Sequence, residues 1–210
     1  MELHVLDHPL VEHKLTVLRD KNTSSATFRE LVTELVMLEA YEATRNLDMP
    51  IETPGAPMVG KHIASPAPII VPVLRAGLGM LDGMTKMIPT AEVGFLGMKR
   101  DEEHPTQQIT YANRLPEDLT GRQCFLIDPM LATGGTLVTA THYLAERGAK
   151  DVTAINIIAA PEGIQYVQDH IDPSIAFKVV VCAVDEKLNE KAYIVPGLGD
   201  AGDRLYGVID

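Results

Sequence analysis

The chain has 210 residues, 46% apolar and 22% charged, with 18 Lys plus Arg against 29 Asp plus Glu. That length supports one domain with a sizeable core, and the composition excludes disordered and fibrous classes. A net charge of −11 with no basic stretch excludes duplex binding, although helix termini and a few arginines suffice for an anionic small substrate. Cys124 and Cys182 lie inside apolar runs without ligand spacing, which argues against a disulfide scaffold or structural zinc and for a reducing setting. The start, Met1-Glu2-Leu3-His4, lacks the regions of a signal peptide, and no apolar run reaches the roughly 18 residues of a membrane span. The expectation is a cytoplasmic protein that engages neither membrane nor nucleic acid.

In chain order, the first clear element is a helix over Thr27 to Asn46, opened by a Thr27/Glu30 capping box. Phe28, Leu31, Val32, Leu35, Leu38 and Leu47 share one face of it. Asp48-Met49-Pro50 stops it, and Thr53 to Lys61 reads as a loop or short hairpin. Short apolar runs follow at Ile69–Leu74, Val93–Met98, Gln123–Asp128, Val152–Ala159 and Ile175–Val184, with helical stretches at Leu78–Met87, Thr136–Arg147 and Pro161–His170. This alternation predicts an α/β fold with a roughly five-stranded parallel sheet covered on both faces. Arg100–Gly121 and Asp185–Asp210 read as long irregular segments, which in compact domains are usually functional. Ligands of such sheets sit beyond the strand carboxyl ends, here residues 74–79, 98–103, 128–136 and 185 onward.

The strongest chemical signal is the run from Phe125 to Thr136. An apolar strand ends in Asp128, and Pro129, Met130, Leu131, Ala132, Thr133, Gly134 and Gly135 lead directly into a helix. Backbone N–H groups, the helix dipole and the Thr133 and Thr136 hydroxyls can converge there on one phosphate. Asp128 suits sugar hydroxyls, so a phosphate with an attached ribose fits both halves. A Walker loop is excluded because Gly-Lys-Ser/Thr is missing. At Val73 to Gly83, Gly77-x-Gly79 follows a strand, but Asp82 stands where a dinucleotide fingerprint needs Gly or Ala. With Arg75 before it, the turn is a candidate diphosphate site. Gly197-Leu198-Gly199-Asp200-Ala201-Gly202 matches G-x-G-x-x-G by letters alone, since the chain after it has no room for a helix and second strand.

With these segments in view, the chain resembles the uracil phosphoribosyltransferase family, within the type I phosphoribosyltransferase fold. The matching stretches run nearly end to end: His8 to Thr16 with Leu18-Arg19-Asp20, Tyr41-Glu42-Ala43, Val71 to Gly83, Arg100 to Glu103, Asp128 to Thr136, Ala159 to Gly163, and Tyr193 to Arg204. The last of these is specific to the uracil branch.

The resemblance implies transfer of the ribosyl phosphate of 5-phosphoribosyl 1-diphosphate (PRPP) to uracil, giving uridine monophosphate (UMP) and pyrophosphate in pyrimidine salvage. It implies one domain over residues 1–210, with a small hood from the terminal segments and a mobile arm at about 100–116. Asp128 to Thr136 would hold ribose and 5-phosphate, Arg75 and Arg100 the diphosphate, and the backbone of Ile194, Gly199, Asp200 and Ala201 the uracil. Asp128, Asp200 and Arg100 would be the catalytic residues. Mg²⁺ would ride on the diphosphate, with a water-mediated contact to Asp200 and no direct protein ligand. Homo-oligomers, dimeric or higher, and activation by GTP are further implied properties; no GTP site is readable. In the arm, His104-Pro105-Thr106-Gln107-Gln108 departs from the family pattern.

Plainer readings apply elsewhere. His4, His8 and His13 have no metal-ligand spacing and suit packing or oligomer contact, His142 suits packing, and the methionines suit core or interface. Asp101-Glu102-Glu103 reads as a solvated face or a contact to metal-bound water, and Lys61 and Lys99 as surface or as helpers to the diphosphate. The rival in another class is a PRPP- or nucleotide-sensing regulator without turnover, which would need a basic nucleic-acid face.

Overall fold

The structure, a computed structural model, describes residues 1–45, 49–52, 54–60, 66–100 and 108–208. The chain opens with β1 (Glu2–Val5), α1 (Pro9–Arg19), α2 (Ser25–Ala43) and an antiparallel hairpin of β2 (Met49–Glu52) and β3 (Pro57–Gly60). There follow β4 (Ile69–Leu74), α3 (Leu78–Met87), β5 (Glu92–Val93), β6 (Phe95–Arg100) and β7 (Gln108–Arg114). Next come β8 (Gln123–Ile127), β9 (Met130–Leu131), α4 (Gly135–Ala145), β10 (Asp151–Ala159), α5 (Pro161–His170) and β11 (Ala176–Val184). The short β12 (Lys187–Leu188), β13 (Ile194–Val195) and α6 (Ala201–Tyr206) close the chain.

The central sheet runs β1-β11-β10-β8-β4-β6-β7, with β5 beside β4 and β9 beside β10. All pairings are parallel except β6 with β7. Its apolar strands are buried on both faces. Ile70, Phe125, Ile127 and Ile155 meet Leu18, Phe28, Leu35, Met80 and Met84 of α1, α2 and α3. Ile69, Val71, Leu126 and Ala154 meet Leu137, Leu144 and Val167 of α4 and α5. β4 is the switch point: the next strands in sequence, β5 and β6, lie on one side of it and β8 on the other. The loops leaving β4 and β8 therefore face each other across a crevice.

Several expectations are corrected. The sheet gains β1 and β7 at its edges, so it exceeds five strands. The N-terminal residues hold two elements absent from the expectation: β1, a four-residue edge strand with almost no periodic signal, and α1, whose buried Val11, Leu15 and Leu18 did carry helical spacing. α2 starts at Ser25, not Thr27: the Ser24 hydroxyl caps it by accepting from Thr27 N at 3.2 Å, in place of a Thr27/Glu30 box. The two segments read as irregular contain β7 and, after residue 185, β12, β13 and α6. His142 is exposed and lies 3.3 Å from Glu146, so it does not pack. Leu47, Lys61 and residues 101–107, which include most of the altered arm, lie outside the described residues. Cys124 and Cys182 are buried free thiols.

Candidate active site

Past β8, the chain is bolted to β10. Asn156 donates its side-chain amide to Asp128 O at 2.6 Å, the Ile157 and Ile158 N–H groups donate to Pro129 O, and Ala160 N donates to Leu131 O. The loop then turns through Gly134, whose φ of +84° few other residues adopt, into α4. No side chain caps α4, so the N–H groups of its first turn are left for a ligand. Gly163, in the first turn of α5, backs this loop so closely that a Cβ there would lie 2.1 Å from Ala132 O.

Past β4, the Leu74–Arg75 peptide is cis, and Gly77 N returns to Val73 O at 2.8 Å before α3 begins. Arg75 projects outward, 41% exposed, with Nη2 3.4 Å from Asp203 Oδ1 on α6. Gly79 meets Leu205 of α6 directly. The third wall comes from β13: Val195–Pro196 is cis, and the loop runs through Gly197 to Asp200, whose Oδ1 caps α6 by accepting from Asp203 N at 2.9 Å.

These three segments enclose one cavity of about 450 Å³. Arg75 and Lys99 line one side, and Asp128, Met130, Leu131 and Ala132 the floor. Thr133, Gly134 and Thr136 line the end at α4. Gly199, Asp200, Ala201 and Gly202 also line it, with Ala192 and Tyr193, and a Cβ on Gly202 would lie 3.2 Å from Arg75 Nη2, so this loop borders the arginine. Pro129, Gly135 and Ile194 do not line it; all three are buried, Ile194 to 4% exposure. The side chain of Arg100 lies outside what is described, although its backbone ends β6. Among the lining residues, Ala192 carries no mark in the sequence, while Lys99 stands there only as a candidate helper and Tyr193 only as the start of a motif. Lys99 lies one residue before the carboxyl end of β6, which was its available signal; Ala192 had only the motif that begins beside it at Tyr193.

Electrostatics sharpen the roles. Asp128 is half-buried, and withdrawal from water pushes its carboxyl up to about 7, while a hydrogen bond from Met130 N–H pulls the other way. A carboxylate so placed gains from hydroxyl donors. Asp200, exposed at the rim with Oδ1 committed to its cap, fits a single water-mediated contact to a metal carried by a polyphosphate.

The mostly parallel sheet with its crevice at the switch point is the type I phosphoribosyltransferase fold. A hypoxanthine phosphoribosyltransferase from Trypanosoma cruzi shares that fold, with a TM-score of 0.50 over 76% of each chain at 12% identity. The chain itself belongs to the uracil phosphoribosyltransferase family, whose model matches residues 5–208. A uracil phosphoribosyltransferase from Bifidobacterium longum is 88% identical over the full length of both chains, and one from Beutenbergia cavernae 63%. The AQ2163 protein of Aquifex aeolicus superposes with a TM-score of 0.88 at 39% identity, covering 98% of each chain. Full-length relatives carrying an enzyme's name disfavour the non-catalytic regulator.

Proposed function

We propose that this enzyme transfers the 5-phosphoribosyl group of PRPP to uracil within the crevice, giving UMP and pyrophosphate. The observation that carries the reading is a single cavity with two separate anion-attracting ends, the bare N-terminus of α4 and the Arg75/Lys99 side. Both line the same cavity, as a sugar that carries phosphate at one end and diphosphate at the other requires.

In the reaction, the bond from ribose C1 to the diphosphate oxygen breaks with its electrons leaving on oxygen. Uracil N1 bonds to the same carbon, and the N1 proton is released. The transition state is oxocarbenium-like, so positioning and neutralising the departing oxygens are the protein's main tasks. Arg75 and Arg100 hold the diphosphate; Asp128 accepts from ribose hydroxyls; Thr133, Gly134, Gly135 and Thr136 cradle the 5-phosphate, with Pro129 to Ala132 shaping the turn. The backbone of Ile194, Gly199, Asp200 and Ala201 reads the two carbonyls and N3–H of uracil. Cytosine, whose amino group would face a donor, is rejected because a buried donor would be left unpaired. Mg²⁺ bound to the diphosphate would supply further neutralisation of the leaving group, with Asp200 reaching it through water.

The same reading takes residues 1–210 as one domain with a hood from its terminal segments and an arm at about 100–116 that closes over substrates against PRPP hydrolysis. It takes the enzyme as a cytoplasmic homo-oligomer activated by GTP. No helix among the described residues is long and apolar enough to cross a membrane.

A base panel tests the assignment. With PRPP and Mg²⁺, uracil should yield UMP and pyrophosphate, and cytosine or hypoxanthine should not. Equal turnover of the three would overturn it.

A further inference from the structure

The loop that reads the base is poorly suited to hold a shape by itself. It is glycine-rich, and the ribbon that delivers it, β12 with β13, is two residues wide on each side. Yet recognition by main-chain atoms demands fixed peptide orientations, because one turned peptide exchanges a donor for an acceptor.

The stiffness comes from an ion pair outside the cavity, its carboxylate buried and its arginine half-buried. Arg19, the last residue of α1, grips Asp185 with both guanidinium nitrogens, Nη2 to Oδ1 at 2.5 Å and Nη1 to Oδ2 at 2.7 Å. Asp185 stands just past β11, is only 9% exposed, and is tied to the sheet by its own N–H to Ala159 O at 2.8 Å. The pair then takes both polar groups of Gly197. Arg19 Nη1 donates to Gly197 O at 2.8 Å, and Gly197 N donates to Asp185 Oδ2 at 2.8 Å. Gly197 has φ +67°, and a Cβ on it would lie 2.1 Å from Ile194 O, so the site demands glycine. One step on, Arg204 donates to Leu198 O at 3.1 Å and to Asp20 O at 2.7 Å, which ties the same loop to the end of α1 a second time.

We propose that Arg19 and Asp185 are positioning residues for base selection: their ion pair sets the orientation of the Gly197 peptides and hence of the loop that reads uracil. This rests on the assignment of Ile194 and Gly199 to Ala201 to the base. Neither residue lines the cavity. The PRPP-facing parts stand on other supports, the β8–α4 and β4–α3 loops. Between them and α6 run the packing of Gly79 on Leu205 and the Arg75–Asp203 hydrogen bond of 3.4 Å between partly exposed side chains, and neither contact includes Gly197 or the Arg19–Asp185 pair.

The test uses the full chain with Arg19→Lys, which keeps the charge but loses the fork, and Asp185→Asn, which keeps the shape but loses the charge. Uracil is varied at saturating PRPP, PRPP at saturating uracil, and cytosine is offered as competitor. Both variants should raise the KM for uracil about tenfold or more and leave that for PRPP within about twofold, with a weaker preference for uracil over cytosine. Unchanged uracil KM, or uracil and PRPP constants moving together in step with a lowered melting temperature, would overturn the positioning role. If Asp185→Asn fails to fold, Arg19→Lys decides alone, since it leaves no buried charge without a partner. A wild-type enzyme that ignores uracil would instead bring down the functional reading, and this proposal with it.

Discussion

Gly163→Ala adds one methyl group at a residue that does not line the cavity. The added carbon would lie 2.1 Å from Ala132 O, 2.9 Å from Ala132 C and 3.1 Å from Leu131 O. The first separation is more than about 1 Å short of comfortable contact. Something must move, and the surroundings decide what. α5 is held at its start by Ile164 N to Ala160 O at 3.1 Å, and Glu162 on the same turn accepts from Leu188 N at 2.9 Å. The loop it presses on ends in the uncapped Gly134 turn, which has the fewest bonds to lose. Leu131 is held by Ala160 N and by its pairing with β10, so the shift falls on residues 132–134. Overpacking of this kind costs about 1–3 kcal/mol of stability, and in a chain of this size each kcal/mol lowers the melting temperature by about 2–4 °C. The kinetic cost is larger in proportion, because a displacement of about 1 Å in a positioning element costs on the order of 10²-fold in rate. The assay is pyrophosphate release with PRPP varied at saturating uracil, beside a thermal melt. We expect kcat/KM for PRPP to fall about a hundredfold and the KM for uracil to stay near wild type. Wild-type PRPP kinetics in a folded Gly163→Ala protein would refute the argument that α5 braces the phosphate loop.

Asp128→Asn should cut kcat/KM for PRPP by about tenfold to a hundredfold, the scale of a hydrogen bond to a charged group. Because the wild-type carboxyl is raised to about 7 and works as the acceptor, kcat/KM for PRPP should climb with pH through 7, and Asp128→Asn should lose that limb. The sign for stability is opposite: with the folded value raised above 3.8, the contribution is full below that pH and is lost as pH rises through 7. Asp128→Asn should thus melt higher than wild type at about pH 8 and equally at about pH 4, by up to a few kcal/mol; a variant no more stable at the higher pH would contradict the burial. Arg75→Ala and Arg100→Ala should each weaken use of PRPP and of pyrophosphate by about 1.5–3 kcal/mol without changing the KM for uracil. Arg75 is partly exposed, so its removal should leave the melting temperature unchanged; unaltered PRPP kinetics in either variant would exclude a diphosphate clamp.

The clamp at Gly197 shows how unevenly the site was written into the chain. Asp185 was findable, since it ends an apolar strand by the same rule that singled out Asp128. Arg19 was not. It closes an amphipathic helix, and its partner lies 166 positions away. Gly163 likewise looked like part of a motif and nothing more until its helix was seen against Ala132.

Local pattern alone settled the alternation of doubly buried strands and helices, the aspartate at the end of β8 and the glycine-rich turn into α4, because burial on two faces and a helix N-terminus leave marks within a few neighbouring residues. Tertiary structure alone decided that β1 and β7 join the edges, that Asp128 is withdrawn enough from water for its carboxyl to be pushed up to about 7, and that Arg19 meets Asp185 behind the β13–α6 loop. Those outcomes depend on which elements lie side by side, and side-by-side placement depends on pairings across the sheet that no short stretch of sequence encodes.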